Sequence, residues 1–101
     1  MTLLPLALIL LLSPDVASDA LRNRVESAPR KVATFIERRA NCNHFTGEEP
    51  YDAERAAELG KVIRELKCRG IERDEQRLVR AYRDRPDILQ LLKDTEDLLG
   101  W

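Results

Sequence analysis

The residues able to do chemistry are gathered in one stretch, Asn41-Cys42-Asn43-His44-Phe45-Thr46-Gly47-Glu48-Glu49-Pro50-Tyr51-Asp52. It holds the only histidine of the chain, one of its two cysteines, one of its two phenylalanines and one of its two tyrosines. Three carboxylates, Glu48, Glu49 and Asp52, fall within five positions. Three chemistries are conceivable. Cys42 and His44 form a C-x-H pair, which Cys68 and one of Glu48, Glu49 or Asp52 could complete as a thiolate and imidazole site suited to zinc. His44 beside a carboxylate could act as general acid or base, since histidine titrates near neutrality. Two acids held at a fixed separation could do glycosidase-type work. Against metal, Cys68 has no close-spaced second ligand. Against catalysis, a short helical chain offers little room for a cleft and carries no nucleophile elbow, phosphate loop or HExxH. No enzymatic activity and no cofactor are expected.

A plainer account covers most of the stretch. Gly47 permits a turn, Pro50 stiffens the approach, and Asp52 caps the helix that follows. Phe45 and Tyr51 are expected to pack the connector onto the core. Glu48 and Glu49 are left without a structural duty, which makes them the sharpest pointers to a binding surface. The candidate contact set is therefore His44, Phe45, Glu48, Glu49, Tyr51 and Asp52.

The elements that must position these groups are helical. The chain has no alternation of period two and no clustering of β-branched residues. Glycine and proline punctuate it into helices at 29–42, 53–68, 74–84 and 86–99. Their apolar stripes are Val32, Phe35, Ile36 and Ala40; then Ala56, Leu59, Ile63 and Leu66; then Leu78, Ala81 and Tyr82; then Ile88, Leu91, Leu92, Thr95, Leu98 and Leu99. Gly70 stands where a left-handed residue would end the second helix, and Gly100 where the last one stops. Asp74 is the expected cap of the third. Leu21 and Val25, four apart, are placed for a short helix upstream. The fold class is all-α, a small bundle of about four helices.

Export follows from the N-terminus. Residues Leu3 to Leu12 are apolar except for Pro5, too short to span a hydrocarbon core that needs roughly 20 residues. The run matches the apolar region of a secretory signal, and Ser18-Asp19-Ala20 supplies small residues for cleavage. Removal of 1–20 leaves a single domain, 21–101, without a stable membrane anchor, in the periplasm or outside the cell. Two cysteines in such a small exported chain argue for pairing, with Cys42–Cys68 forming one disulfide. If Cys42 ends one helix and Cys68 the next, the pairing demands that connector 43–51 run back along the second helix, because the Cα atoms must come within about 7 Å.

The pattern NCNHF-x-GEEPYDAER, followed by a helix and a second cysteine, resembles that of small exported proteobacterial proteins. The resemblance covers about 35–68, with an echo at 78–82. It implies export and cysteine pairing and supplies no mechanism.

The 17 lysines and arginines nearly balance the 18 aspartates and glutamates, but they are segregated. Basic residues dominate 22–39 and 61–85, acidic ones 48–58 and 87–97. Arg73, Arg77 and Arg80 share a helical face that could meet an anion. With a net charge near zero and no interleaved aromatics, a solvated face answering the acidic helices is the expected reading, and no nucleic-acid partner is expected. Trp101 could pack over the last helix or anchor a partner. Together these features point to an exported helical protein that binds another envelope protein, as inhibitor or immunity modules do, through the ordered acidic segment 43–52.

Overall fold

The structure, a computed structural model, describes residues 14–101, with side chains from Ser18 onward. Most of the expected signal segment, 1–13, lies outside the described residues. Five α-helices follow one another: α1 (Pro14–Glu26), α2 (Arg30–Thr46), α3 (Ala53–Glu65), α4 (Ile71–Ala81) and α5 (Pro86–Asp94), with a short 3₁₀ turn, Cys68–Gly70, between α3 and α4. The all-α class is as read from the periodicity, and the described residues contain no strand.

The core is built by α1, α2 and α5. Val25, Val32, Phe35, Ile36, Ile88, Leu91 and Leu92 form one buried cluster, with Leu21, Ile71, Leu78, Tyr82, Leu98 and Trp101 packed around it. The pair Leu21 and Val25 does belong to a helix. In α1, Ser18, Asp19 and Ala20 are exposed, Leu21 is half-buried, and Val25 is fully buried. The helix runs without a break through the expected cleavage point, and among the side chains described, from Ser18 onward, burial begins at Leu21.

α3 stands outside that cluster. Of its expected stripe only Leu59 is buried; Ala56 is exposed, and Ile63 and Leu66 are half-buried. Burying one leucine contributes about 1.5–3 kcal/mol, small beside a backbone ordering cost of about 1–2 kcal/mol per residue. This helix needs another tether, and Cys42–Cys68 is it, with Cα atoms 5.6 Å apart.

The helix ends differ from the expected ones, and tertiary contacts explain each shift. α2 does not stop at Cys42 but continues through Asn43, His44, Phe45 and Thr46. Asparagine is a poor helix interior residue because its amide competes for local backbone groups. Here Asn41 and Asn43 are occupied elsewhere: Asn41 Oδ1 accepts the Trp101 amide at 3.1 Å, and Asn43 Nδ2 donates to the Glu96 and Leu98 carbonyls at 2.9 and 3.0 Å. The connector is thereby reduced to 47–52. Six extended residues reach about 20 Å, and the 13 residues of α3 return about the same distance at ~1.5 Å each. Out along the connector and back along the helix, the chain arrives beside Cys42.

α3 ends at Glu65, and the left-handed residue there is Lys67, at φ 55°, rather than Gly70, at φ −92°. A non-glycine left-handed residue costs roughly 1–2 kcal/mol. Arg38 holds it in place, donating from Nε to the Leu66 carbonyl at 2.7 Å and from Nη2 to the Lys67 carbonyl at 3.2 Å. α4 therefore begins at Ile71, ahead of Asp74, which sits in its first turn and accepts Arg38 Nη2 at 2.8 Å. α5 ends at Asp94, short of Leu99. Thr95 is fully buried, and its hydroxyl donates back to the Leu91 carbonyl at 2.7 Å. The tail beyond it is pinned by Asn41 and Asn43 to α2. Gly100 takes φ +112°, which side chains rarely adopt. Trp101 is half-buried, with the Arg22 guanidinium 4.5 Å from its ring centroid, so it packs within the chain.

Candidate functional site

The expected contact residues lie at the end of α2 and along the connector to α3. Their roles are unequal. Asp52 is the N-cap of α3: it has extended backbone, and its Oδ1 accepts the Arg55 amide at 2.8 Å. Glu48, expected to be without a structural duty, has one. Its two oxygens accept Arg55 Nε and Nη2 at 2.6 and 2.7 Å, a bidentate fork of the strong, planar kind. Arg55 Nη1 also donates to Glu58 at 3.0 Å. The connector is thus fastened at both ends, by Gly47 closing back on the Asn43 carbonyl at 3.2 Å and by Asp52 and Glu48 holding the first turn of α3.

Of the remaining residues Phe45 is half-buried in the last turn of α2, and the others are exposed. His44 is exposed, its ring edge-on to half-buried Phe45 at 4.9 Å between centroids. Glu49 is exposed and makes no ion pair among the described residues. Tyr51 does not pack the connector onto the core as expected; it is 82% exposed. Leu99, which the sequence places on the last helical stripe, is 74% exposed. With Asn43, His44, Gly47 and Glu48 it lines a shallow hollow of about 280 Å³. Tyr51 and Leu99 are thus two large exposed apolar groups, Leu99 in the same hollow as His44 and Glu48.

In the disulfide both sulfurs are bonded to each other, so neither is a thiolate able to ligate zinc alongside His44. No three metal-binding side chains converge among the described residues. No described helix is long and apolar enough to cross a membrane.

The carboxyl of Glu48 is held below its ordinary pKa, chiefly by the hydrogen bonds from Arg55 and secondarily by that arginine's charge. A depressed carboxylate stabilises above its unfolded pKa, about 4.3, and that contribution is lost as pH falls through the folded value. Acidification below about pH 4 should therefore loosen the connector first. Amide resonances of 47–52 followed against pH should broaden or shift before those of α5. In Glu48→Gln they should be loosened already at neutral pH, with no further acid step of this origin. An unchanged titration in that variant would remove the pair from the connector's support.

Several residues that hold the site were not singled out in the sequence. Arg38, Arg39, Asn41 and Asn43 project from α2 onto the turn at 66–67, α4, α5 and the tail beyond it, and Arg55 holds Glu48. One signal was present: two asparagines spaced around a cysteine inside a helical pattern are poor choices for a helix and imply duties elsewhere. Set beside known proteins, the chain matches no family model, no curated protein and no solved structure.

Proposed function

We propose that the chain is an exported protein, periplasmic or secreted, that acts by binding another envelope protein through segment 43–52, in the manner of an inhibitor or immunity module. The observation that carries this reading is Tyr51, 82% exposed on a connector fastened at both ends. Binding hot spots are rich in tyrosine, because its ring offers a large contact at little entropic cost. An aromatic on a pre-ordered loop loses little further freedom on docking. Glu49, two residues before Tyr51, adds an acid, and Leu99, which shares a hollow with His44 and Glu48, adds a second exposed apolar group. Export is supported by the disulfide, which persists in oxidising compartments.

The test is capture in cells with a photoreactive residue at position 49. Tyr51→Ala should reduce the captured partner at least tenfold, the effect of losing a hot spot worth about 2 kcal/mol, while helix content and the disulfide stay unchanged. Equal capture by the variant would sink the assignment of this surface.

A further inference from the structure

We propose that the groove between α2 and α4 is a second binding site, which takes an acidic amphipathic helix from a partner protein. It lies at the opposite end of α2 from segment 43–52 and does not rest on the function assigned to that segment. The groove encloses about 750 Å³ between Arg30, Lys31, Thr34, Phe35 and Arg38 on one side and Asp74, Arg77, Leu78, Ala81 and Tyr82 on the other. Two turns of each helix line it, a length of about 12 Å.

Three observations lead here. The first is an incomplete face. α4 and its C-terminal cap carry Ile71, Leu78 and Tyr82 along one edge, yet none of these residues is fully buried. An amphipathic helix is held by covering its apolar stripe, and here the fold covers only half of it. The second is charge. The lining carries four cations against one carboxylate, and that carboxylate, Asp74, is already held by Arg38 at 2.8 Å. Arg77 comes only within 3.9 Å of it and stays 64% exposed. Arg30 and Lys31 make no ion pair among the described residues. Among the described residues Arg30, Lys31 and Arg77 pair with no acid of the acidic segments 48–58 and 87–97. The third is their placement, with Arg30, Lys31 and Arg38 on the α2 wall, Arg77 on the α4 wall, and Phe35, Leu78, Ala81 and Tyr82 in the same lining.

That placement selects the occupant. A helix with an apolar ridge and acids on both flanks meets both walls at once, the helix-in-groove mode of recognition. An acyl chain with one anionic head would leave one wall unanswered. A single-stranded nucleic acid would need exposed rings to stack on, whereas Phe35 is buried at 4% exposure with the Arg39 guanidinium 5.1 Å from its ring centroid, and Tyr82 is half-buried against the core.

The test uses the disulfide-bonded protein and two synthetic helices of about four turns, both with leucines along one edge. One carries glutamates on the flanks of that edge, the other lysines. In an amide chemical-shift titration the glutamate helix should perturb 30–38 and 74–82 and bind at least tenfold more tightly than the lysine helix. Lys31→Glu/Arg77→Glu alters two exposed side chains and should leave the fold intact. It should weaken the glutamate helix at least tenfold and reverse the preference. The proposal is overturned if the two helices bind alike, if the shifts map elsewhere, or if the double variant binds as wild type does. It is overturned also if anionic phospholipid vesicles or single-stranded RNA perturb these resonances at lower concentration than the glutamate helix.

Discussion

Replacement of Arg39 by methionine is expected to lower the free energy of unfolding by about 3–5 kcal/mol, the range for removing one member of a buried charged network. Arg39 is 4% exposed and joins three elements. From α2 it donates to Glu75 on α4 at 2.7 Å, to the Leu92 carbonyl on α5 at 2.6 Å, and to Thr95 Oγ1 at 2.9 Å. Leu92 lies in the last turn of α5, where carbonyls have no partner within the helix. Arg39 is thus the cap of α5 as well as one half of an ion pair. Burial pulls its guanidinium pKa below the ordinary value, and Glu75, Glu96 and Asp97 only partly restore it. Its Nε is buried without a partner. The charge itself is therefore held at a cost, and its return is the donors it supplies. Methionine fills similar space but leaves the Leu92 carbonyl short of a partner.

Two comparisons isolate the cause. Glu75 is a third exposed, so Glu75→Ala should cost only about 1 kcal/mol or less. Arg39→Lys should recover less than half of the loss, since an ammonium cannot reproduce the planar fork. Urea denaturation with the disulfide intact measures all three. A neutral or stabilising Arg39→Met would mean that desolvation outweighs the cap, as it does for some buried pairs replaced by apolar groups.

The helices and most of the core were legible because period and punctuation act locally. Val32, Phe35, Ile36, Ile88, Leu91 and Leu92 lie on one face of their helices whatever surrounds them. What was not legible depends on long-range partners. Asn43 reads as the start of a loop until the Glu96 and Leu98 carbonyls come within its reach. Gly70 reads as the left-handed residue, but Arg38, 29 positions upstream of Lys67, holds that conformation three residues earlier. Glu48 reads as a free acid because nothing in its type announces that Arg55 will turn back to meet it. In the candidate site the acids were found and the apolar members were misplaced. Tyr51 and Leu99 have the composition of core residues, and only the path of the chain puts them in solvent.

That path depends on the disulfide, and Cys42→Ala/Cys68→Ala should show how. Sequence separation between the cysteines is 26, for which chain entropy gives a stabilisation of about 3–4 kcal/mol. The loss should be uneven. Within the closed ring lie α3, which buries only Leu59, and the connector that carries Tyr51; outside it lies the cluster of α1, α2 and α5. In native-state hydrogen exchange the amides of α3 should lose protection through local opening, while the core amides of α2 and α5 continue to open only with global unfolding. Arg38 should still hold the Leu66 and Lys67 carbonyls part of the time, so release of α3 is a shift in population rather than complete. If α3 kept its protection without the disulfide, Leu59 and Arg38 would suffice to dock it. If instead α3, α2 and α5 lost protection together, α3 would belong to the cooperative core despite its exposure. Loss confined to α3 would place the disulfide's work in the ring that holds Glu48 against Arg55 and Asp52 beneath Tyr51. The Tyr51 surface would then exist only in the oxidised protein, and partner capture at position 49 should fall with the cysteines replaced, even though the core remains folded.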